Sequence, residues 1–217
     1  MDLLLEVIQY IQQNQAAFEQ AMRQHLLLSL ASLGIAMIIS LPLGIWIAHQ
    51  SKAAQPVLNV FNALRVIPSL VILFLALPYL GIGTRPALVA LTILAFPPIL
   101  INTYAGIRQV DRAVVEAAYG TGMSFFQVLF QVEIPLAAPA VLAGIRIATV
   151  EVISSATLAA FIGGGGLGDF ITRGFALYDV RIMLVGAIPV ALLVLLAQGL
   201  LSLAAHPFRA IIRTVET

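Results

Sequence analysis

RQVDRAVVEAAYGTGMSFFQVLFQVEIP, residues 108–135, is the longest stretch of this chain that is not simply apolar. Asp111 is placed to cap a helix whose apolar face begins with Val114, Val115 and Ala118. Gly120 and Gly122 interrupt that helix, and Phe125, Phe126, Leu129 and Phe130 then recur at helical spacing. Pro135 is expected to end this second helix. The segment reads as two short helices around a flexible break, held at a membrane face. Such an element can project a knob of side chains into a groove on a soluble partner.

On both sides the sequence turns apolar. A bilayer-crossing helix needs roughly 20 predominantly apolar residues. Leu26–Ala48, Val66–Thr84, Pro86–Ile107 and Ile182–Ala205 qualify without a charge, and a fifth run from about Leu136 to Ile162 carries Arg146 and Glu151. The second run is extendable back towards Pro56, with Arg65 near its end. The expected fold class is an all-α integral membrane protein with about five transmembrane helices. Composition agrees: of 217 residues, 61% are hydrophobic and 10% charged, with mean hydropathy +1.03. Soluble domains lie near half apolar and a quarter charged.

Residues 1–24 are more polar than the rest of the chain. Asp2, Glu6, Glu19 and Arg23 lie among glutamines, with no basic stretch before the first apolar run, so this is not a secretory leader. Leu4, Leu5, Ile8, Ile11 and Phe18 fall at roughly helical spacing. An amphipathic external helix on the membrane surface is expected, with a solvated polar arm as the alternative. The membrane domain then covers 25–205, and 206–217 form a cytoplasmic tail.

Basic residues favour cytoplasmic loops. With the N-terminus outside, Lys52, Arg108, Arg112, Arg209 and Arg213 fall inside, and Arg65 and Arg146 lie near cytoplasmic helix ends. Arg23, Arg85, Arg173 and Arg181 fall outside. The bias has the right sign but is small. Prolines at 42, 68, 78, 97, 98 and 189 interrupt the apolar runs; each removes a backbone donor and can kink its helix. The net charge of +1 gives no basis for nucleic-acid binding.

Several chemistries lack their residues. There is no cysteine, hence no disulfide or thiolate site. His25, His49 and His206 are scattered at span ends, where interfacial histidines rather than a clustered metal site are expected. Gly163, Gly165 and Gly168 match GxGxxG outside any βαβ unit and read as a flexible external turn. No GxxxxGK[ST] is present to cradle ATP phosphates. A polytopic membrane enzyme would need a cluster of reactive groups, and none stands out. A channel or secondary transporter, which needs no partner, is the other rival.

The 108–135 segment resembles the cytoplasmic loop of ABC importer permeases, which reads Glu-Ala-Ala, three residues, Gly, nine residues, then Ile-x-Leu-Pro. Here Glu116-Ala117-Ala118 is followed at that spacing by Gly122 and then by Val132-Glu133-Ile134-Pro135, with Val for Ile and Ile for Leu. The resemblance implies the transmembrane domain of a type I ABC importer, whose loop inserts a coupling helix into a cleft on a separate ATPase. Carried over residue by residue, Glu116, Ala117, Ala118, Tyr119, Gly120, Gly122, Met123, Ile134 and Pro135 form the ATPase-coupling set. Glu116 would cap or brace the helix pair, Gly122 would make the turn, and residues from about Tyr119 to Gln127 would touch the ATPase.

Further strings look like the osmoprotectant branch: Leu41-Pro42-Leu43-Gly44, Ile67-Pro68-Ser69, Leu80-Gly81-Ile82-Gly83, Asn102-Thr103-Tyr104 and Phe161 through Asp169. That resemblance implies import of glycine betaine, choline, carnitine or a similar compatible solute, with amino-acid or other small-solute import as the alternative. It implies a multi-pass protein of the bacterial inner membrane, N-terminus outside and C-terminus cytoplasmic. The partners implied are the ATPase, a separate substrate-binding protein, a second permease copy (identical or paralogous) and the lipid bilayer. The chain itself would bind no cofactor; ATP and Mg belong to the ATPase. Aromatics are only 8%, with one Trp, so cation–π recognition of a quaternary ammonium is better assigned to the binding protein.

Glu151 sits near the middle of the fourth span. An ionisable group there is costly and usually faces the protein interior. It is expected to line the pathway or to pair with Arg146, with a packing role as the alternative. Pro68, Ser69 and Asn102 are further candidate pathway residues, and Arg146 is expected to snorkel to the interface.

Overall fold

The computed structural model describes residues 2–215, with side chains described for residues 3–50 and 52–205. The described chain is a helical bundle. Helix α1 spans Asp2–Gln13, α2 Gln15–Ala48, α3 Ser51–Leu64, α4 Ser69–Leu80 and α5 Thr84–Arg108. Helix α6 spans Arg112–Gly120, α7 Phe125–Val128 and α8 Ile134–Ser155, followed by α9 Gly168–Ala176 and α10 Val180–Val215. A π-helical turn, Leu129–Glu133, joins α7 to α8, and a 3-10 segment, Ala156–Ile162, extends α8.

Four helical stretches are long and apolar enough to cross a membrane: Gln15–Ala48, Thr84–Arg108, Phe125–Ile162 and Val180–Ala205. The expected span Val66–Thr84 is not a continuous helix. Helices α3 and α4 meet at 94°, and only if this bent pair counts as one span does the total reach five. Pro68 is the physical reason. The residue before a proline is pushed out of the α region, and Pro68 itself is extended at φ −58°, ψ 138° as the N-cap of α4. Helix α4 has 12 residues, about 18 Å at 1.5 Å per residue, too short to cross alone.

Helix α5 is the central element and packs on α2 and α8 through small residues. A Cβ on Gly44 of α2 would meet Thr103 Cβ at 2.8 Å, one on Gly106 would meet Ala140 at 2.9 Å, and one on Gly144 of α8 would meet Asn102 Cβ and Pro98 O at 2.6 Å. Dispersion at close backbone approach holds helices together in lipid, where the hydrophobic effect does not. Leu73, Ala87, Leu91, Ala95, Ile99, Ala148 and Val152 fill the main core between them.

The N-terminal segment holds one helix of its own, α1, and the first residues of α2. Helix α2 runs without a break through residue 24, and the apolar face of α1 is divided. Val7, Tyr10 and Ile11 of α1, with Phe18 of α2, pack on α9 and α10 with Phe170, Ile182 and Val185, while Leu4, Leu5 and Ile8 stay exposed. The tail expected from residue 206 continues the α10 backbone to Val215; its side chains, His206 included, lie outside the described residues.

The glycine-rich turn is packed rather than loose. Gly163, Gly165 and Gly166 have positive φ, and the Gly166 N–H donates to Gln24 Oε1 at 3.3 Å. His25, expected at an interface, is 1% exposed and its Nε2 contacts Ile153 O at 3.0 Å. Helix α9, also unforeseen, ends in a Schellman motif: Tyr178 N–H bonds Phe175 O at 3.2 Å and Asp179 N–H bonds Gly174 O at 2.9 Å. Tyr178 occupies the left-handed C′ position at φ 54°, where glycine is usual, and is 93% exposed. Tyr178→Gly is therefore expected to stabilise the protein by roughly 1 kcal/mol. A thermal-unfolding midpoint that does not rise in detergent would contradict this. Next to it, Arg181 hydrogen-bonds both carboxylate oxygens of Asp179, at 3.1 and 2.8 Å, holding that carboxyl below its usual range. This exposed contribution is present above the ordinary carboxylate range and is lost as pH falls through the depressed value.

Candidate functional site

The 108–135 segment folds as a hairpin of short helices. Asp111 caps α6, accepting from the Ala113 N–H at 2.9 Å. The helix ends in a second Schellman motif: Gly122 N–H bonds Tyr119 O at 2.9 Å and Met123 N–H bonds Ala118 O at 3.3 Å. Gly122 sits at φ +88° with open space around it, so it is needed for its backbone and not for close packing. The Ser124 N–H then donates to Gln127 Oε1 at 2.8 Å, opening α7. Tyr119, Phe125, Phe126 and Phe130 project outwards, while Val128 and Leu129 are buried beneath them. An exposed aromatic cluster at a helix break can serve as an interaction surface.

Pro135 does not end the second helix; it stands in the first turn of α8. A proline lacks the N–H for its i−4 bond and its ring crowds that carbonyl. The preceding turn widens to i→i+5 bonding, with Ile134 N–H reaching Leu129 O. The helix therefore runs on without interruption from the hairpin into the membrane-capable stretch Phe125–Ile162.

That root is tied to the end of α2. Glu133 is 8% exposed and its Oε2 lies 2.9 Å from His49 Nε2. His49 Nδ1–H donates to Ile45 O at 2.9 Å, so the contact at Nε2 requires one proton, on the ring or on the carboxyl. Phe125 packs edge-on against the same imidazole at 5.3 Å. Arg108, Arg112, Glu116 and Tyr119 line a cavity of about 410 Å³ with this pair.

A second cavity, of about 310 Å³, lies at the break between α3 and α4. Leu64, Arg65, Ile67, Pro68 and Ser69 line it from the break, Ile93, Leu94 and Pro97 from α5, and Glu151 and Ser155 from α8. Pro97 and Pro98 have no N–H to give the carbonyls of Ile93 and Leu94, four residues earlier.

The model of the family described as binding-protein-dependent transport system inner membrane component matches residues 40–206. The chain belongs to this family. This permease is 45% identical over 175 residues to the carnitine transport permease protein OpuCB of Listeria monocytogenes, covering 81% of this chain and 80% of the relative. It is 39% identical over 198 residues to the choline transport system permease protein OpuBB of Bacillus subtilis, covering 91% of each. The permease also superposes on a chain of the inward-facing MetNI methionine ABC transporter with TM-score 0.81 at 21% identity, over 89% of this chain and 97% of that one. The last likeness establishes the type I importer fold. The permease is thus an inner-membrane transport subunit and not an enzyme; its family implies an ATPase and a substrate-binding protein as partners.

The structure distributes the expected site residues unevenly. Ala117, Tyr119, Gly120 and Gly122 lie exposed on the permease hairpin, Ala118 and Met123 half-buried, and Ile134 and Pro135 in its root. Glu116 faces the cavity at the root, and its carboxylate makes no hydrogen bond or ion pair among the described residues. Pro68, Ser69 and Glu151 share the second cavity. Asn102 does not: its amide bonds Pro98 O at 2.8 Å and packs against Gly144. The expected Glu151–Arg146 pair is absent, because Arg146 reaches across to Gln198 Oε1 at 3.3 Å while Glu151 shares its cavity with Arg65. Sequence reading missed the His49–Glu133 contact, which joins positions 84 apart. An isolated His and Glu at two loop ends gave no spacing signal.

The contact is only half-buried, His49 being exposed, so removing one partner costs about 1 kcal/mol, the lower end for a polar contact. His49→Ala should therefore lower the permease's stability by about that much, and the double change with Glu133→Ala should recover part of it. Additive losses in thermal unfolding of the two single variants would show that the contact contributes nothing.

Proposed function

We propose that the permease forms the translocation pathway of an ATP-driven importer for quaternary-ammonium compatible solutes: glycine betaine, choline or carnitine. The observation that carries this reading is the match to carnitine and choline permeases at 39–45% identity over most of both chains. Listeria monocytogenes supplies two such relatives, OpuCB and OpuCD, both named as carnitine transport permeases. A second permease, identical or paralogous, completes the pathway across the lipid bilayer.

The 111–133 hairpin lies in the cytoplasm, with the N-terminus outside and the C-terminus inside. Its aromatic knob seats in a cleft on the ATPase, where residues from about Tyr119 to Gln127 make the contact. Closure of two ATPases on ATP and Mg shifts the hairpins, and the continuous helix from Phe125 passes the displacement to α8. The permease binds no cofactor; the binding protein supplies high-affinity capture. Proteoliposomes holding permease, ATPase and binding protein should accumulate labelled glycine betaine, choline or carnitine only with internal ATP. Accumulation without ATP would mark a channel or secondary transporter instead.

A further inference from the structure

The cavity at the α3–α4 break has a charge pattern that the proposed function does not by itself require. Non-helical backbone at membrane depth persists only where it is buried in protein or lines a cavity, and interrupted helices mark binding sites in transporters. Here the interrupted pair bends by 94°, and Arg65, Ile67, Pro68 and Ser69 from the break face the cavity. Opposite them stands Glu151. Ion pairs elsewhere in the molecule close to between 2.8 and 3.7 Å. Among the described residues, Arg65 and Glu151 make no ion pair within 4 Å and no side-chain hydrogen bond. Two opposite charges are held in one small cavity without meeting.

The uncharged groups fit the same pattern. Ser69 and Ser155 line the cavity, as do Ile93 and Leu94, whose carbonyls Pro97 and Pro98 leave without their helical donors. Among the described residues no aromatic ring lines the cavity, so a cation there is met by a carboxylate instead of by π faces. A quaternary ammonium has no N–H to donate and suits such a non-directional negative surface. A guanidinium presents a planar fork that matches a carboxylate.

Resting on the permease reading above, we infer that this cavity is a transit subsite for zwitterionic solutes: Arg65 takes the solute carboxylate and Glu151 its quaternary ammonium. Arg65 then determines specificity, favouring a betaine over a simple cation such as choline, which it repels.

The test uses the permease–ATPase complex in detergent without binding protein, with labelled glycine betaine and labelled choline as probes. Arg65→Gln should weaken betaine binding tenfold or more while leaving choline binding unchanged or stronger. Glu151→Gln should weaken both tenfold or more. Arg65→Lys, which keeps the charge and loses the fork, should fall between wild type and Arg65→Gln for betaine, and covers the case in which Arg65→Gln does not assemble. Equal effects of the Arg65 variants on both probes, or wild-type binding of neither, would overturn the subsite. Wild-type uptake in proteoliposomes separates the two levels. ATP-driven uptake without this discrimination removes only the subsite, whereas no uptake of betaine, choline or carnitine removes the proposed function.

Discussion

Gly122→Val should cut ATP-driven solute uptake roughly 5- to 30-fold while leaving membrane insertion intact. The factor corresponds to about 1–2 kcal/mol for placing a side-chain-bearing residue in the left-handed region. Gly122 holds φ +88° in open space, so the effect comes from the backbone. The Schellman bonds from Gly122 and Met123 to Tyr119 and Ala118 set the angle between α6 and α7, and with it the direction of the aromatic knob. Gly120→Ala is the control: residue 120 also has open space, and its φ is not in the left-handed range. It carries no backbone penalty, and alanine is the better helix former. A loss of uptake in Gly120→Ala would report crowding against the ATPase, whereas a loss confined to Gly122→Val reports the turn. Full uptake by Gly122→Val, measured in proteoliposomes with equal ATPase, would remove the coupling role assigned to this turn.

The largest loss of stability is expected at Gly168. A Cβ there would overlap the carbonyl oxygen of Thr157 in the 3-10 segment, and a backbone atom cannot swing aside as a side chain can. Overpacking costs typically about 1–3 kcal/mol and occasionally more, and Gly168→Ala should lie at the upper end. Gly186 is in a similar position against Leu167 O, so α9 is clasped between the 3-10 segment and α10. Gly199→Ala, in α10 with nothing within 4 Å, should leave the unfolding midpoint unchanged or raise it. If Gly168→Ala and Gly199→Ala unfold at the same temperature in detergent, the close packing of α9 is refuted.

What could be read in the sequence depended on whether the signal was local. Membrane-capable runs are set by length and apolarity, and four of them emerged: Thr84–Arg108 and Val180–Ala205 close to their expected bounds, Gln15–Ala48 and Phe125–Ile162 each starting 11 residues earlier. The cap at Asp111 and the turn at Gly122 were readable because helix ends are governed by a few adjacent residues. The break before Ser69 was not, because one proline inside an apolar run predicts a kink but not a turn of 94°. Glycines 163–168 misled for a related reason. Conformational freedom and close approach leave the same mark in a sequence, and here both operate: Gly166 has positive φ, while Gly168 is packed against Thr157. Long-range partners were invisible. Glu151 was matched to Arg146 because the two are near in sequence, yet the bundle turns Arg146 to Gln198 and sets Glu151 in one cavity with Arg65. Pro135 reads as an ending in the sequence because a proline stops the helix before it. The π-helical turn that admits it needs five consecutive residues to rearrange together.

The 111–133 hairpin is expected to face the cytoplasm and to seat on an ATPase. Because the chain has no cysteine, Met123→Cys introduces a single thiol at the hairpin break, and a membrane-impermeant maleimide reports which side it faces. A cytoplasmic, ATPase-docked hairpin predicts no labelling in intact cells, labelling in inside-out vesicles stripped of ATPase, and protection when the ATPase is added back. Labelling from outside intact cells would contradict it.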